Sequence, residues 1–93
     1  MTSPKQRDFL LEPADMERLA NLNGPFDGHL RQIELRLGVE IANRGNIYRV
    51  TGGDDAVAAA EQLLHALYAE AGEHTLTPET IHLALSGAGA DRV

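Results

Sequence analysis

The sequence contains no cysteine, and Lys5 is its only lysine. Without cysteine the chain has no disulfide scaffold, no thiol nucleophile and no thiolate-bound zinc site. No apolar run approaches the roughly 20 residues that a membrane span needs. The polar start from Met1 to Asp8 also lacks the apolar core of a secretory signal. These absences predict a cytoplasmic protein that does not associate with membranes.

Basic side chains are scarce as well. Fourteen acidic residues oppose eight basic ones, so the formal net charge is −6, and all of the basic residues except Lys5 are arginine. Affinity for a phosphate backbone depends mainly on cationic side chains that release counterions. Any contact with nucleic acid must therefore come from a local patch, although arginine is the cation whose planar fork best suits phosphates and base edges.

The composition is that of a small globular domain. Hydrophobic residues make up 43% of the sequence and charged residues 24%, and 93 residues provide a modest core for one domain. We interpret residues 1–7 as a flexible leader, 8–72 as the domain, 73–86 as a C-terminal helix extension and 87–93 as the start of a linker.

The spacing of apolar residues predicts the order of the elements. A strand over 9–12 precedes a helix over 14–22, whose apolar face includes Met16. Further along, the pattern predicts a second helix from Asp27, taken as its N-cap, to Gly38, and then a hairpin over 39–51 that turns at 43–46. A third predicted helix is capped by Asp54 and closed by Gly72. A last predicted helix over 78–86 has Thr77 as its N-cap. The chain is therefore expected to fold as an α+β domain.

The spacing of glycines and aliphatic residues resembles that of a type I KH domain. The matching positions are Gly24, Asp27, Leu30, Ile33, Gly38, Val39 and Ile41, followed by Gly52, Val57, Ala60, Leu63 and Leu64. Only Asp27 departs from the pattern, since the family has its second loop glycine there. The resemblance implies a two-layer β-α-α-β-β-α fold with a three-stranded antiparallel sheet, to which this chain adds a C-terminal helix.

Several longer segments are similar to the amino-terminal region of bacterial PhoH-like (phosphate starvation-inducible) ATPases. They are Leu11–Pro13, His29–Glu34, Leu37–Ile41, Asn43–Asn46 and Leu76–Glu79, so the resemblance covers residues 8 to about 86. In that family this region precedes a P-loop ATPase domain, and the parent proteins are associated with phosphate starvation and RNA metabolism. The chain has no Gly-x-x-x-x-Gly-Lys-Ser/Thr motif. The resemblance therefore implies that ATP and Mg²⁺ belong to the ATPase domain of the intact protein, and that this chain is not an enzyme and has no cofactor.

The resemblance also implies a nucleic-acid site for single-stranded RNA. In a KH loop the glycines let the backbone approach phosphates, and the next helix offers free N–H groups. The predicted site comprises Gly24, Pro25, Phe26, Asp27, Gly28 and His29, flanked by Arg31, Arg44 and Asn46. The Asp27 carboxylate, as N-cap, would compete with a phosphate for those N–H groups at a cost of about 1 kcal/mol. The alternative is that the glycines merely shape a tight turn, packed by Pro25 and Phe26, and that Arg44 is an exposed turn residue without a partner.

The outer face of the sheet supports a second hypothesis. Leu10, Ile47 and Arg49 are expected there, where no helix covers them. Exposed apolar residues on this face would dock the ATPase domain, a partner protein or a second copy in a homo-oligomer. In this hypothesis the domain keeps a degenerate KH fold and serves as a docking or oligomerisation module.

The sequence offers little for metal binding or catalysis. The four histidines are scattered without a pair at i, i+4, and no Ser/His/Asp arrangement is recognisable. We therefore predict neither a metal site nor a catalytic residue.

Overall fold

The computed structural model describes residues 4–89, in which helices cover one face of a three-stranded sheet. The elements are β1 (Lys5–Leu10), α1 (Met16–Asn23), a short 3-10 turn (Pro25–Asp27), α2 (Gly28–Leu37), β2 (Glu40–Arg44), β3 (Ile47–Gly52), α3 (Asp54–Ala71) and α4 (Pro78–Gly89). This is the expected β-α-α-β-β-α order of a type I KH-like domain with one added C-terminal helix.

The sheet has the strand order β1-β3-β2, and both pairings are antiparallel. Because side chains alternate between the faces of a strand, Ile41, Tyr48 and Val50 point together into the core, where all three are buried. The opposite, outer face carries three cross-strand rows, which are Gln6–Thr51–Glu40, Asp8–Arg49–Ala42 and Leu10–Ile47–Arg44.

The core lies between the inner face of the sheet and the helices. The third helix contributes an apolar stripe to it, because Val57, Ala60, Leu64, Leu67 and Ala71 are all buried. The last helix shares this core through buried residues of its own and of the preceding connection, namely Leu76, Ile81 and Leu85. Residues 73–86 are therefore an integral part of the domain's packing.

The first strand differs from its prediction. It runs from Lys5 to Leu10 and not over 9–12, and residues 5–7 pair with Val50–Gly52 on β3. These residues are therefore part of the sheet and not of a leader. In α1, Met16 is 85% exposed and does not lie on the apolar face.

Two helix ends also differ. The third helix begins at Asp54 with Gly53 at its N-cap, so Asp54 lies in the first turn, where its charge still suits the positive helix end. The last helix continues to Gly89, beyond the predicted end at Ser86. Its predicted cap is confirmed, since Thr77 Oγ1 accepts a hydrogen bond from the Thr80 N–H at 3.1 Å. The predicted linker therefore starts inside α4, and its remaining residues, 90–93, lie outside the described part of the chain.

Among residues 4–89, no helix combines the length and the apolar character that crossing a membrane requires.

Candidate nucleic-acid interface

The end of α1, where the loop to α2 begins, is tied to β3 by a side-chain hydrogen bond. Asn23 is the last residue of α1, and its Oδ1 accepts a hydrogen bond of 2.5 Å from the Tyr48 hydroxyl on β3. Tyr48 is paired in register with Asn43 on β2. The start of the loop Gly24–Gly28 is therefore tied to the buried, inner face of the sheet through Tyr48.

The two loop glycines play different structural roles. Gly24 has a φ of +80°, and a Cβ at this position would lie 2.6 Å from the ring of His29, so only glycine fits. Gly28 has helical angles (φ −61°, ψ −37°) and open space where a Cβ would be. The close approach that requires glycine is therefore at the first position only.

Two non-glycine residues in the loop adopt left-handed backbone angles, Phe26 with φ +54° and Asp27 with φ +58°. Asp27 occupies the N-cap position of α2, but its carboxylate makes no capping hydrogen bond. The prediction that Asp27 caps α2 is wrong, because a capping side chain is usually presented from an extended backbone and not from a left-handed one. Within the described chain, the first N–H groups of α2 are therefore not occupied by any side-chain cap, while the Asp27 charge stays in the loop.

The tip of the loop projects from the protein. Both Pro25 and Phe26 are exposed, and Phe26 completely so, at 101% of its reference area. The part of the alternative in which these two side chains pack the turn is therefore wrong, whereas Gly24 does shape the turn as that alternative states.

His29 does not belong to the exposed site. Its side chain is only 3% exposed, and Nδ1 lies 3.2 Å from the carbonyl oxygens of both Asn21 and Leu22. The imidazole therefore ties the start of α2 to the end of α1. The spacing already held a signal for this, since His29 lies four residues before the core residue Ile33 and so on the same helical face.

Arg31 is engaged by a neighbouring carboxylate. Its Nη1 donates to Glu34 Oε1 at 2.6 Å, and the second oxygen of Glu34 accepts the Ile41 N–H of β2 at 2.8 Å. Glu34 thus covers one backbone donor on the open edge of β2, a role that the sequence did not predict. The i, i+3 spacing of Arg31 and Glu34 was the available signal for their pairing.

Arg44 and Asn46 do not face the loop. Asn46 Nδ2 donates to the Leu11 carbonyl at 2.9 Å, and Leu11 N–H returns a bond of 2.9 Å to the Asn46 carbonyl. Asn46 thus holds the end of β1 against the hairpin turn. Arg44 lies on the outer face of the sheet, in the row with Ile47. The residues predicted for one site therefore lie in separate places. Gly24–Gly28 form an exposed loop, His29 and Asn46 make hydrogen bonds inside the fold, and Arg44 lies on the outer face of the sheet.

The outer face brings together the three residues predicted for docking. Leu10 and Ile47 are about half exposed, at 49% and 47%, and they are adjacent across β1 and β3. Arg49 is paired within the face, donating to both carboxylate oxygens of Asp8 at 3.0 and 3.1 Å. The hydrogen bonds and charge of Arg49 hold the pKa of Asp8 below its usual value. In the described chain, Arg44 forms no ion pair, so it is the free cation beside the apolar pair.

Arg18, on α1, is held in place by packing. The guanidinium of Arg18 lies 5.0 Å above the centre of the Tyr68 ring and presses against Gly72, where a Cβ would collide with it. Its Nε is buried and has no hydrogen-bond partner among the residues described. Arg18 therefore packs at the junction of α1 and α3, in a cavity that Gly24 and Pro25 of the loop also line.

No family model matches this chain. Among residues 4–89, no three His, Asp or Glu side chains form a cluster suited to a metal ion.

Proposed function

We propose that this domain is a KH-like module that holds single-stranded RNA at the Gly24–Gly28 loop and positions it for the ATPase domain of a PhoH-like protein. The observation that supports the proposal is the exposed loop, which leads into α2 without a side-chain cap. Backbone N–H groups at a helix start attract phosphate through both hydrogen bonding and the helix dipole. The resemblance of the sequence to the amino-terminal region of PhoH-like ATPases adds the assignment to RNA.

The charges around the loop make the proposed binding weak. The net charge is −6, Asp27 stands in the loop, and Arg31 is already paired with Glu34. Because no unpaired cationic side chain is described at the loop, few counterions would be released, and the logarithm of the binding constant should fall with the logarithm of the salt concentration with a slope no steeper than about −1. Affinity should lie in the range of non-specific binding, with Kd about 100 μM at low salt.

A titration with a fluorescently labelled, mixed-sequence RNA oligomer tests this proposal. Asp27→Asn removes the loop charge, and asparagine tolerates the left-handed backbone. The matched control is Asp55→Asn, which makes the same charge change in the first turn of α3. We expect Asp27→Asn to bind severalfold tighter than Asp55→Asn. Lack of binding by the unaltered domain at 1 mM, or equal gains in the two variants, would overturn the proposal.

The outer face of the sheet supports a second candidate function, docking of the ATPase domain. The specific observation is the half-exposed pair Leu10 and Ile47 beside the unpaired Arg44. Three strands about 4.8 Å apart, of six, six and five residues, present a face of roughly 270 Å². A stable complex between separate proteins buries about 800 Å² per partner. The face by itself is smaller than such an interface, which favours a domain tethered in the same polypeptide at high effective concentration.

Charge substitution in the full two-domain protein tests this docking. Ile47→Glu should expose the interdomain connection and speed its cleavage in limited proteolysis. Gln6→Glu, which introduces the same charge at the polar end of the face, should leave cleavage unchanged. Equal cleavage in both variants, or a dimer of the isolated domain in light scattering, would contradict the docking proposal.

A further inference from the structure

Phe26 combines two features that are unfavourable for a free protein. Its side chain is fully exposed, and its backbone adopts left-handed angles, φ 54° and ψ 33°. A bulky residue in this region of backbone space is a true outlier, and such outliers cluster at ligand-binding sites. The loop therefore keeps an aromatic ring in solvent at a conformational cost.

The ring stands alone at the loop tip. Its chain neighbours Pro25, Asp27 and Gly28 supply no apolar surface beyond the proline ring. The other large exposed hydrophobic residues that the structure describes lie on other elements, and they are Leu10, Met16, Leu35, Ile47 and Leu83. A protein partner usually requires an aromatic anchor surrounded by further contacts that exclude water. A single exposed ring suits a flat ligand that covers only its face.

We infer that Phe26 is a stacking platform for an unpaired nucleobase. This inference rests on the proposed binding of RNA. Phe26 lies two residues before α2, whose N-cap residue Asp27 makes no side-chain capping bond, so a base on Phe26 would place its own phosphate near the positive end of this helix. Stacking needs no cation, which makes it compatible with the acidic charge of the domain and with Asp27. It also accepts every base, because each has a π-face.

The experiment compares two probes on four proteins, one of which is a control variant. The probes are a fluorescently labelled oligouridine and an oligomer of equal length and backbone charge in which abasic sites replace the bases. The proteins are the unaltered chain, Phe26→Ala and Phe26→Trp. Leu35→Ala serves as the control, because it truncates another almost fully exposed apolar side chain, on α2. Thermal melts verify that each variant is folded.

We expect Phe26→Ala to weaken binding of oligouridine about 5- to 150-fold, the effect of losing one stacked base. Phe26→Trp should bind as tightly as the unaltered chain or tighter, and Leu35→Ala should not differ from it. The abasic oligomer should bind weakly to all four proteins.

The outcomes separate this inference from the proposed function. If the unaltered chain binds neither probe, the RNA-binding proposal falls and the stacking role falls with it. If the unaltered chain binds oligouridine and Phe26→Ala binds within twofold of it, RNA binding stands and the stacking role is overturned. Equal loss on both probes would also overturn it, since Phe26 would then act through the shape of the loop.

Discussion

Two glycines at the ends of one loop, Gly24 and Gly28, obey different physical requirements. At Gly24 a positive φ coincides with the close approach of the His29 ring, so both backbone and space exclude a side chain. At Gly28 neither condition holds. In the sequence the two glycines look equivalent, because both lie in the loop between two predicted helices. The difference depends on where His29 packs, and this became visible only in the folded structure.

Alanine substitutions should reveal this difference. Gly24→Ala should lower the free energy of unfolding by about 2 kcal/mol or more, because it adds left-handed strain and a clash with the imidazole. Gly28→Ala should raise it by about 0.5 kcal/mol, since alanine restricts the unfolded chain and suits a helical position. Urea denaturation followed by circular dichroism measures both. Equal destabilisation by the two changes would contradict the assigned roles.

Tyr48 should make stability depend on pH in the alkaline range. Burial raises the pKa of its hydroxyl to about 12, partly offset by the hydrogen bond to Asn23. An unfolded tyrosine has a pKa of about 10. The folded state therefore retains the proton when the unfolded state has lost it, and this contribution is complete below pH 10. It should then fall by about 1.4 kcal/mol for each pH unit as the pH rises from 10 to 12.

Tyr48→Phe provides the comparison for this pH dependence. At neutral pH the variant should be less stable by about 1 kcal/mol, because the part-buried Asn23 oxygen loses its donor. Between pH 10 and 12 its unfolding free energy should decline less than that of the unaltered chain. Urea denaturation at a series of pH values gives both curves, and parallel curves would show that Tyr48 does not titrate as described.

Strand β2 lies at an open edge of the sheet, and α2 supplies one acceptor to it. The Glu34 carboxylate takes the Ile41 N–H that no further strand receives. An unpaired row of backbone donors is a site for unwanted strand addition. Glu34 therefore both joins α2 to the sheet and covers part of this edge.

Replacing Glu34 tests the bond to the edge strand. Glu34→Ala should cost about 1 kcal/mol, near the lower limit for an unsatisfied donor, because water can reach this edge. The Ile41 amide should exchange its hydrogen faster. Glu40→Ala, at an exposed position of the same strand, should change stability by less than about 0.5 kcal/mol. An unchanged hydrogen-exchange rate of the Ile41 amide in Glu34→Ala would rule out the hydrogen bond between this amide and the Glu34 carboxylate.

The sequence predicted most helices and the hairpin because their apolar spacing reports directly on burial. It failed for β1, whose first residues, Lys5–Asp8, are all polar and exposed. That strand is specified by pairing with β3 and not by a pattern of its own. The roles of the site residues were harder to predict from the sequence than the elements. The buried His29 and the Asn46 side chain are bound to backbone carbonyls, and the partner of Asn46, Leu11, is 35 residues away in the chain.

The added helix α4 completes the core of the whole molecule. Ile81 is fully buried, whereas Leu83 of the same helix is 69% exposed. Ile81→Ala should therefore lower the unfolding free energy by about 2–5 kcal/mol, and Leu83→Ala by less than about 0.5 kcal/mol. For a domain of this size the first change is a large part of the total stability. Thermal or urea unfolding of both variants checks the difference, and similar losses would mean that α4 does not pack as described.

The side chain of Asn21 has a consequence for the order in which the molecule assembles. Its amide nitrogen donates to the carbonyls of Ala71 and His74, and its oxygen accepts the Leu76 N–H, so one residue of α1 fixes the whole α3–α4 connection. These partners are 50 to 55 positions further along the chain. Closing so long a loop is costly before other contacts exist. Helix α4 should therefore dock after α1 and α3 have met, and until it does, two of the three hydrogen bonds of the Asn21 amide remain unmade.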